Sequence, residues 1–135
     1  YDSIMFIGEY THTVDEKKRF SLPSKFRANL GKKVVVTRGK DHCLVLYPTK
    51  TWAAISEEVK RLGHVESDQR YARFTFSGAS EIEIDSIGRI LIPEFLREFA
   101  DLKSTIVLTG VHDRVEIWSD KRWTAYRKKL ESEYA

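Results

Sequence analysis

The chain has 135 residues, 41% of them apolar, and its 23 Lys and Arg against 20 Asp and Glu leave a formal charge of +3 at neutral pH. That is about one domain's length with enough apolar content for a real core, and no apolar run approaches the ~18 residues a bilayer-crossing helix needs. A single cysteine excludes an internal disulfide, no signal-peptide pattern is visible, and a compact, soluble, cytoplasmic protein is expected.

Residues 1–4 precede Met5, the only methionine, and are expected to be an addition ahead of the native start. Thr13-Val14-Asp15 and Arg19-Phe20-Ser21-Leu22 then flank Glu16-Lys17-Lys18, a strand, turn and strand. Pro23 follows, where proline suits a first helical turn. Phe26 and Leu30, four apart, share one face of that helix, and Gly31 stops it. Residues 34–37 and 44–47 read as a buried strand and its partner across a turn at Gly39. Trp52, Ile55, Val59 and Leu62 have helical spacing. Residues 63–68 form a link, and a short helix is expected within 67–76.

The same order then recurs. Residues 81–92 alternate, break at Gly88 and alternate again, the pattern of a hairpin whose turn uses glycine at positive φ. Pro93 opens a helix with Leu96 and Ala100 on its inner face. Residues 105–108 and 115–118 are strands across a turn at Gly110, and Trp123, Tyr126 and Leu130 mark a last helix. Trp52 and Trp123 read as packing anchors, not as platforms for stacking bases.

This recurrence is an internal repeat. Asp15, Arg19, Pro23 and Arg27 match Asp85, Arg89, Pro93 and Arg97 at an offset of 70; after one inserted residue Gly39 and Trp52 match Gly110 and Trp123 at 71. Two copies are too few for a solenoid and each is small for a freestanding domain, so the copies are expected to complete each other's core. One position breaks the match: Lys18 stands where Gly88 stands. A side chain in the left-handed region costs ~1 kcal/mol. Either the first turn differs or the lysine takes that strain.

Charge separates the copies. Residues 15–40 hold nine Lys and Arg against Asp15 and Glu16, a local charge of +7. The matching residues 85–111 set Arg89, Arg97 and Lys103 against Asp85, Glu94, Glu98 and Asp101, a charge of −1. A +7 stretch suits a phosphate backbone, because bound Lys and Arg release condensed counterions; a basic solvated surface is the plainer alternative.

Enzyme chemistry finds no foothold. There is no Walker loop, no Gly-x-Ser-x-Gly elbow and no His-Glu-x-x-His. His42 and Cys43 are adjacent, so in a strand they face opposite ways, and Cys43 reads as a small core residue. His12, His42, His64 and His112 lack metal-ligand spacing, so no metal or cofactor is expected, and His42 and His112 both fall at turns.

The residues that carry a likeness are Met5-Phe-Ile-Gly-Glu-Tyr10, Asp15-x3-Arg19 with Leu22-Pro23, and Asp85-x3-Arg89 with Ile92-Pro93. Cys43-Leu-Val-Leu-Tyr-Pro48 followed by Trp52, and Val115-Glu-Ile-Trp118 followed by Trp123, complete it. Together they resemble the MraZ family from Met5 to about Tyr126. The resemblance implies an α+β, mainly β fold: two swapped-hairpin, AbrB-like halves at 9–51 and 79–122, packed as one pseudo-two-fold, double-psi-type barrel with a helix after each half. It also implies a bacterial DNA-binding transcriptional regulator, cytoplasmic and nucleoid-associated. Such a regulator sits on repeated boxes in double-stranded DNA ahead of the division and cell-wall genes and assembles as a ring-like homo-oligomer. The family's usual Asp-x-x-Gly-Arg is kept in the second copy but reads Asp-Glu-Lys-Lys-Arg in the first.

Each Asp-x3-Arg motif has two readings. The arginine reaches DNA while the aspartate orients it, or the two form an ion pair that fixes the turn. Both copies keep the pair and only one keeps the basic surround. The pairs Asp15–Arg19 and Asp85–Arg89 are therefore assigned mainly to structure, and the DNA contact to Lys17, Lys18, Arg19, Lys25 and Arg27. A protein-interaction module is the rival reading, since swapped-hairpin antitoxins hold protein partners too; the +7 stretch is what such a module would not need.

Overall fold

A computed structural model describes residues 5–135, so the expectation for residues 1–4 lies outside the described residues. The first copy contains β1 (Glu9–Thr13), β2 (Arg19–Ser21), α1 (Ser24–Leu30), β3 (Lys33–Arg38), β4 (Leu44–Pro48) and α2 (Thr49–Lys60). After α3 (Glu66–Ser77) the second repeats the order with β5 (Ser80–Glu83), β6 (Arg89–Leu91), α4 (Glu94–Ala100), β7 (Thr105–Val111), β8 (Arg114–Ser119) and α5 (Asp120–Tyr134). The fold is the expected α+β arrangement of two equivalent halves.

The halves are joined by exchange. The six-stranded sheet runs β1-β7-β8-β4-β3-β5, so each copy's first strand lies along the other copy's third-strand equivalent. A separate two-stranded ribbon pairs β2 with β6. The ladders β1–β7, β5–β3, β2–β6 and β4–β8 all join residues of different copies. This corrects the reading of 81–92 as a hairpin paired with itself. Its turn closes through the Asp85 N–H on the Arg89 carbonyl (2.9 Å), but β5 and β6 then leave for different partners. The sheet does not close into a hydrogen-bonded barrel either: β1 and β5 are its two edges, and the ribbon covers the core between them.

Both sheet faces are buried, which is why β3, β4, β7 and β8 carry continuous apolar runs. Inward, Val34, Val36, Leu44, Leu46, Ile106, Leu108, Val115 and Ile117 meet Phe20 and Ile90 of the ribbon. Phe26 and Leu30 of α1, and Leu96 and Ala100 of α4, join them as their spacing predicts. Pro23 and Pro93 sit one residue ahead of these helices, at the cap, and Gly31 (φ 78) ends α1.

Outward, Cys43, Val45, Val107 and Trp118 form a second cluster, with Tyr47, Trp123 and Tyr126 half-buried against it. The Trp52 ring lies 4.6 Å from Phe76 and the Trp123 ring 5.3 Å from Trp118, so Trp52 and Trp123 anchor their helices to aromatic partners. The expected helix within 67–76 is α3.

Gly39 does open the β3–β4 turn, its N–H donating to the Cys43 carbonyl at 2.8 Å. Gly110 is not at a turn. It lies inside β7, and the turn passes through His112 (φ 63). The chain at Phe6 and Ile7 crosses Gly110 so closely that a Cβ there would meet the Phe6 carbonyl carbon at 2.5 Å. A missing side chain, not a bend, is what this glycine supplies.

Candidate nucleic-acid interface

The two Asp-x3-Arg turns have the same hydrogen bonds. In the first, the Asp15 N–H donates to the Arg19 carbonyl (2.8 Å) and the Lys18 N–H to the Asp15 carbonyl (3.0 Å). Asp15 Oδ1 accepts the N–H groups of Lys17 and Arg19, both at 2.9 Å. In the second, Gly88 N–H donates to the Asp85 carbonyl (3.0 Å), and Asp85 Oδ1 accepts from Ile87 (3.1 Å) and Arg89 (2.8 Å). Lys18 takes φ 68 where Gly88 takes 86, so the turn does not differ and the lysine carries the left-handed strain. Each aspartate thus holds its loop by the backbone. The N–H bond from the arginine four residues on is the main cause that keeps each carboxyl below its ordinary value.

The second carboxylate oxygens face the arginines. Arg89 Nε donates to Asp85 Oδ2 at 2.9 Å, and its Nη1 lies 3.8 Å from Asp15 Oδ2. Arg19 Nε lies 3.6 Å from Asp15 Oδ2 and makes no hydrogen bond among the described residues. The two pairs therefore form one cluster across the ribbon. Arg89 is held by both carboxylates, whereas Arg19 is only near one.

The ribbon register fixes what faces outward. Arg19 is opposite Leu91, Phe20 opposite Ile90, and Ser21 opposite Arg89. Phe20 and Ile90 point into the core. Since strand side chains alternate, Arg19, Ser21, Arg89 and Leu91 form the outer face. The two turns stand at its ends, with Lys17 and Lys18 exposed on one and Ile87 on the other.

The remaining basic residues do not gather around the first turn. The Arg27 guanidinium lies over the second turn, with its Nε 2.5 Å from where a Gly88 Cβ would be. With Ser24, Lys32 and Asp85 it lines a groove of about 600 Å³ between α1 and that turn. The equivalent groove of about 570 Å³ at the first turn sets Lys18 beside Glu94, Arg97, Glu98 and Asp101 of α4. Exchange of strands brings each copy's helix to the other copy's turn. The set Lys17, Lys18, Arg19, Lys25 and Arg27 is thus divided: the first three at one end, Arg27 at the other, and Lys25 exposed on α1.

Two more residues of the basic stretch are engaged elsewhere. Lys33 Nζ lies 3.6 Å from Glu81, and Arg38 donates to the Phe74 carbonyl of α3 (3.0 and 2.6 Å) while lying over the Phe74 ring. Cys43 is buried, and burial pushes its thiol up in pKa. His42 is exposed beside the Phe99 ring. Among the described residues no three metal-ligating side chains come together.

Sequence reasoning missed Ser21 and Leu91. The signal was present in the offset of 70: Lys17, Ser21 and Lys25 of the first copy correspond to Ile87, Leu91 and Phe95 of the second. Polar positions in one copy are apolar in the other, and Ile87, Leu91 and Phe95 are 60%, 48% and 51% exposed.

The family model described as "MraZ protein, putative antitoxin-like" matches the chain twice, over residues 5–74 and 75–134. A protein of Moorella thermoacetica called transcriptional regulator MraZ is 47% identical over 131 residues, covering 96% of this chain and 92% of its own. Its namesake in Desulfitobacterium hafniense is 46% identical over 132 residues (97% and 92%), and that of Caldicellulosiruptor saccharolyticus 50% over 120 (88% and 84%).

Proposed function

The chain belongs to the MraZ family of transcriptional regulators, not to a family of enzymes, and on that premise we propose that it grips double-stranded DNA through the outer face of the β2–β6 ribbon. One observation carries the reading. A two-stranded ribbon, which the major groove admits, presents Arg19 and Arg89 diagonally on one face, with Lys17 and Lys18 at the Arg19 end and Arg27 at the Arg89 end. The Arg19 guanidinium, ion-paired to Asp15 with no hydrogen bond at its Nε among the described residues, turns to a phosphate or a guanine edge; Arg89, held by Asp85 and Asp15, keeps the face in shape. Lys17, Lys18, Lys25 and Arg27 neutralise phosphates around it. Asp15 and Asp85 turn one oxygen into their own loops and do not meet the DNA.

The remainder of the proposal follows from the same premise. The AbrB-like domains at 9–51 and 79–122 act as one reading unit. Several such units in a ring-like homo-oligomer sit in the cytoplasm on nucleoid DNA, at repeated boxes in the promoter of the division and cell-wall gene cluster.

The test is a salt titration of binding to a duplex carrying several boxes, selected from random sequence by the wild-type protein. Each phosphate contact contributes about 0.9 to the slope of log affinity against log salt. Lys17→Ala, Lys18→Ala and Arg19→Ala together should weaken binding and lower that slope by about 2 to 3, with assembly size unchanged. An unchanged slope would move the DNA face away from the first turn.

A further inference from the structure

We infer that Leu91 is an apolar base-reading residue, packing from the outer face of the ribbon onto the C5-methyl group of a thymine in the major groove. This rests on the ribbon being the DNA face. Leu91 is the cross-strand partner of Arg19, and directly opposite residues share a face with their Cβ atoms ~5 Å apart. It is 48% exposed, whereas Leu22, Leu30, Leu44, Leu46, Leu96 and Leu108 are all buried. A lone exposed leucine needs no explanation. This one lies at the first-turn end of the ribbon, with exposed Phe95 four residues on in α4 and exposed Ile87 on the turn at the other end, and the equivalent positions in the other copy are Ser21, Lys25 and Lys17.

The partner follows from what a ribbon meets in the groove. Base edges there offer hydrogen-bond donors and acceptors and one apolar group, the thymine methyl. Arg19 beside Leu91 therefore joins a donor of hydrogen bonds to an apolar surface at adjacent points of one face. At the other end Arg89 is paired with Ser21, which has no such surface. A subunit contact that covered Leu91 would also cover Arg19, which its ion pair with Asp15 leaves without a hydrogen bond at Nε; taking such a pair out of water is unfavourable. DNA meets the same arginine with phosphates and base acceptors.

The experiment uses the selected duplex made with thymine and again with uracil throughout, which removes only the methyl groups. It compares wild type, Leu91→Ser and Leu91→Met, with thermal melts to show that each variant is folded. Burying one methyl-sized group gives ~fourfold in affinity. Wild type should bind thymine DNA ~fourfold more tightly than uracil DNA for each methyl contacted. Leu91→Ser should bind both equally, at the wild-type affinity for uracil DNA, and Leu91→Met should keep the preference. Comparing both proteins on both duplexes isolates the pairwise contact from any change in DNA shape. A wild-type ratio of one, or a ratio unchanged in Leu91→Ser, overturns the inference while leaving the DNA face standing. Loss of assembly in Leu91→Ser with the ratio intact also overturns it and makes Leu91 a subunit contact. Failure of wild type to select or bind any duplex overturns the underlying reading, and this one with it.

Discussion

Lys18 shows a single residue set between two demands. Its φ of 68 is one that glycine adopts freely, and the repeat places Gly88 at the equivalent point with φ 86. Lys18→Gly should raise stability by about 0.5 kcal/mol, the ~1 kcal/mol of left-handed strain less part of the extra entropy glycine gives the unfolded chain. The same change should lower the salt slope of DNA binding by about 0.9, one phosphate contact. Denaturant melts and salt titration of one variant read both; a stabler protein with an undiminished slope would place Lys18 away from the backbone. Cys43 is the opposite case, a residue with one role. At 2% exposure and with its thiol raised by burial, it should resist alkylation at pH 8 until the chain unfolds. Rapid labelling of the native protein would contradict its place in the outer cluster.

At the scale of elements, each turn hangs on one carboxylate. Asp15 and Asp85 are held below their ordinary value of 3.8, chiefly by the backbone N–H of the arginine four residues on. A carboxyl lowered in the folded state stabilises fully above its unfolded pKa, and that stabilisation is lost as pH falls through the lower folded value. Wild type should therefore melt above Asp15→Ala/Asp85→Ala by a constant margin from roughly pH 5 to 8, and the margin should close below 3.8. A margin that widens in acid would mean the aspartates act otherwise. Gly110→Ala tests a different kind of joint: its Cβ would press on the Phe6–Ile7 backbone, which cannot rotate aside, so a loss of about 1 to 3 kcal/mol is expected. The contrast shows what periodicity carries. The alternation of 81–92 located both strands and the Gly88 turn, and the four-residue spacing found the inner faces of α1 and α4. Which strand pairs with which is not written in alternation, because β5 looks the same beside β6 or beside β3. Gly110 misled for a related reason: a glycine excluded by a crossing backbone is indistinguishable, in one dimension, from a glycine that bends.

For the whole molecule, exchange of strands has a consequence for the site. The sequence placed nine cations in one stretch, and the pseudo-two-fold then distributed them: Lys18 beside α4's carboxylates, Arg27 over the second turn, Arg38 against α3. The electrostatic footprint was legible in the count but its shape was not, since the neighbours of each turn come from the other copy. On the proposed reading, one ribbon so divided would offer few phosphate contacts, and strong binding would depend on joining several ribbons in one assembly. In such an assembly, once one unit had bound, its neighbours would meet further boxes at a local concentration set by the assembly and not by the solution. Linkage of this kind raises avidity ~10²–10⁴-fold when spacing lets the sites engage together, and adds nothing when it does not. A duplex with one box should therefore bind weakly, one with several in-phase boxes far more tightly, and one with the boxes moved by half a helical turn little better than the single box. Equal affinity for all three, measured at one salt concentration, would mean that each unit binds alone and that the ribbon's own contacts suffice.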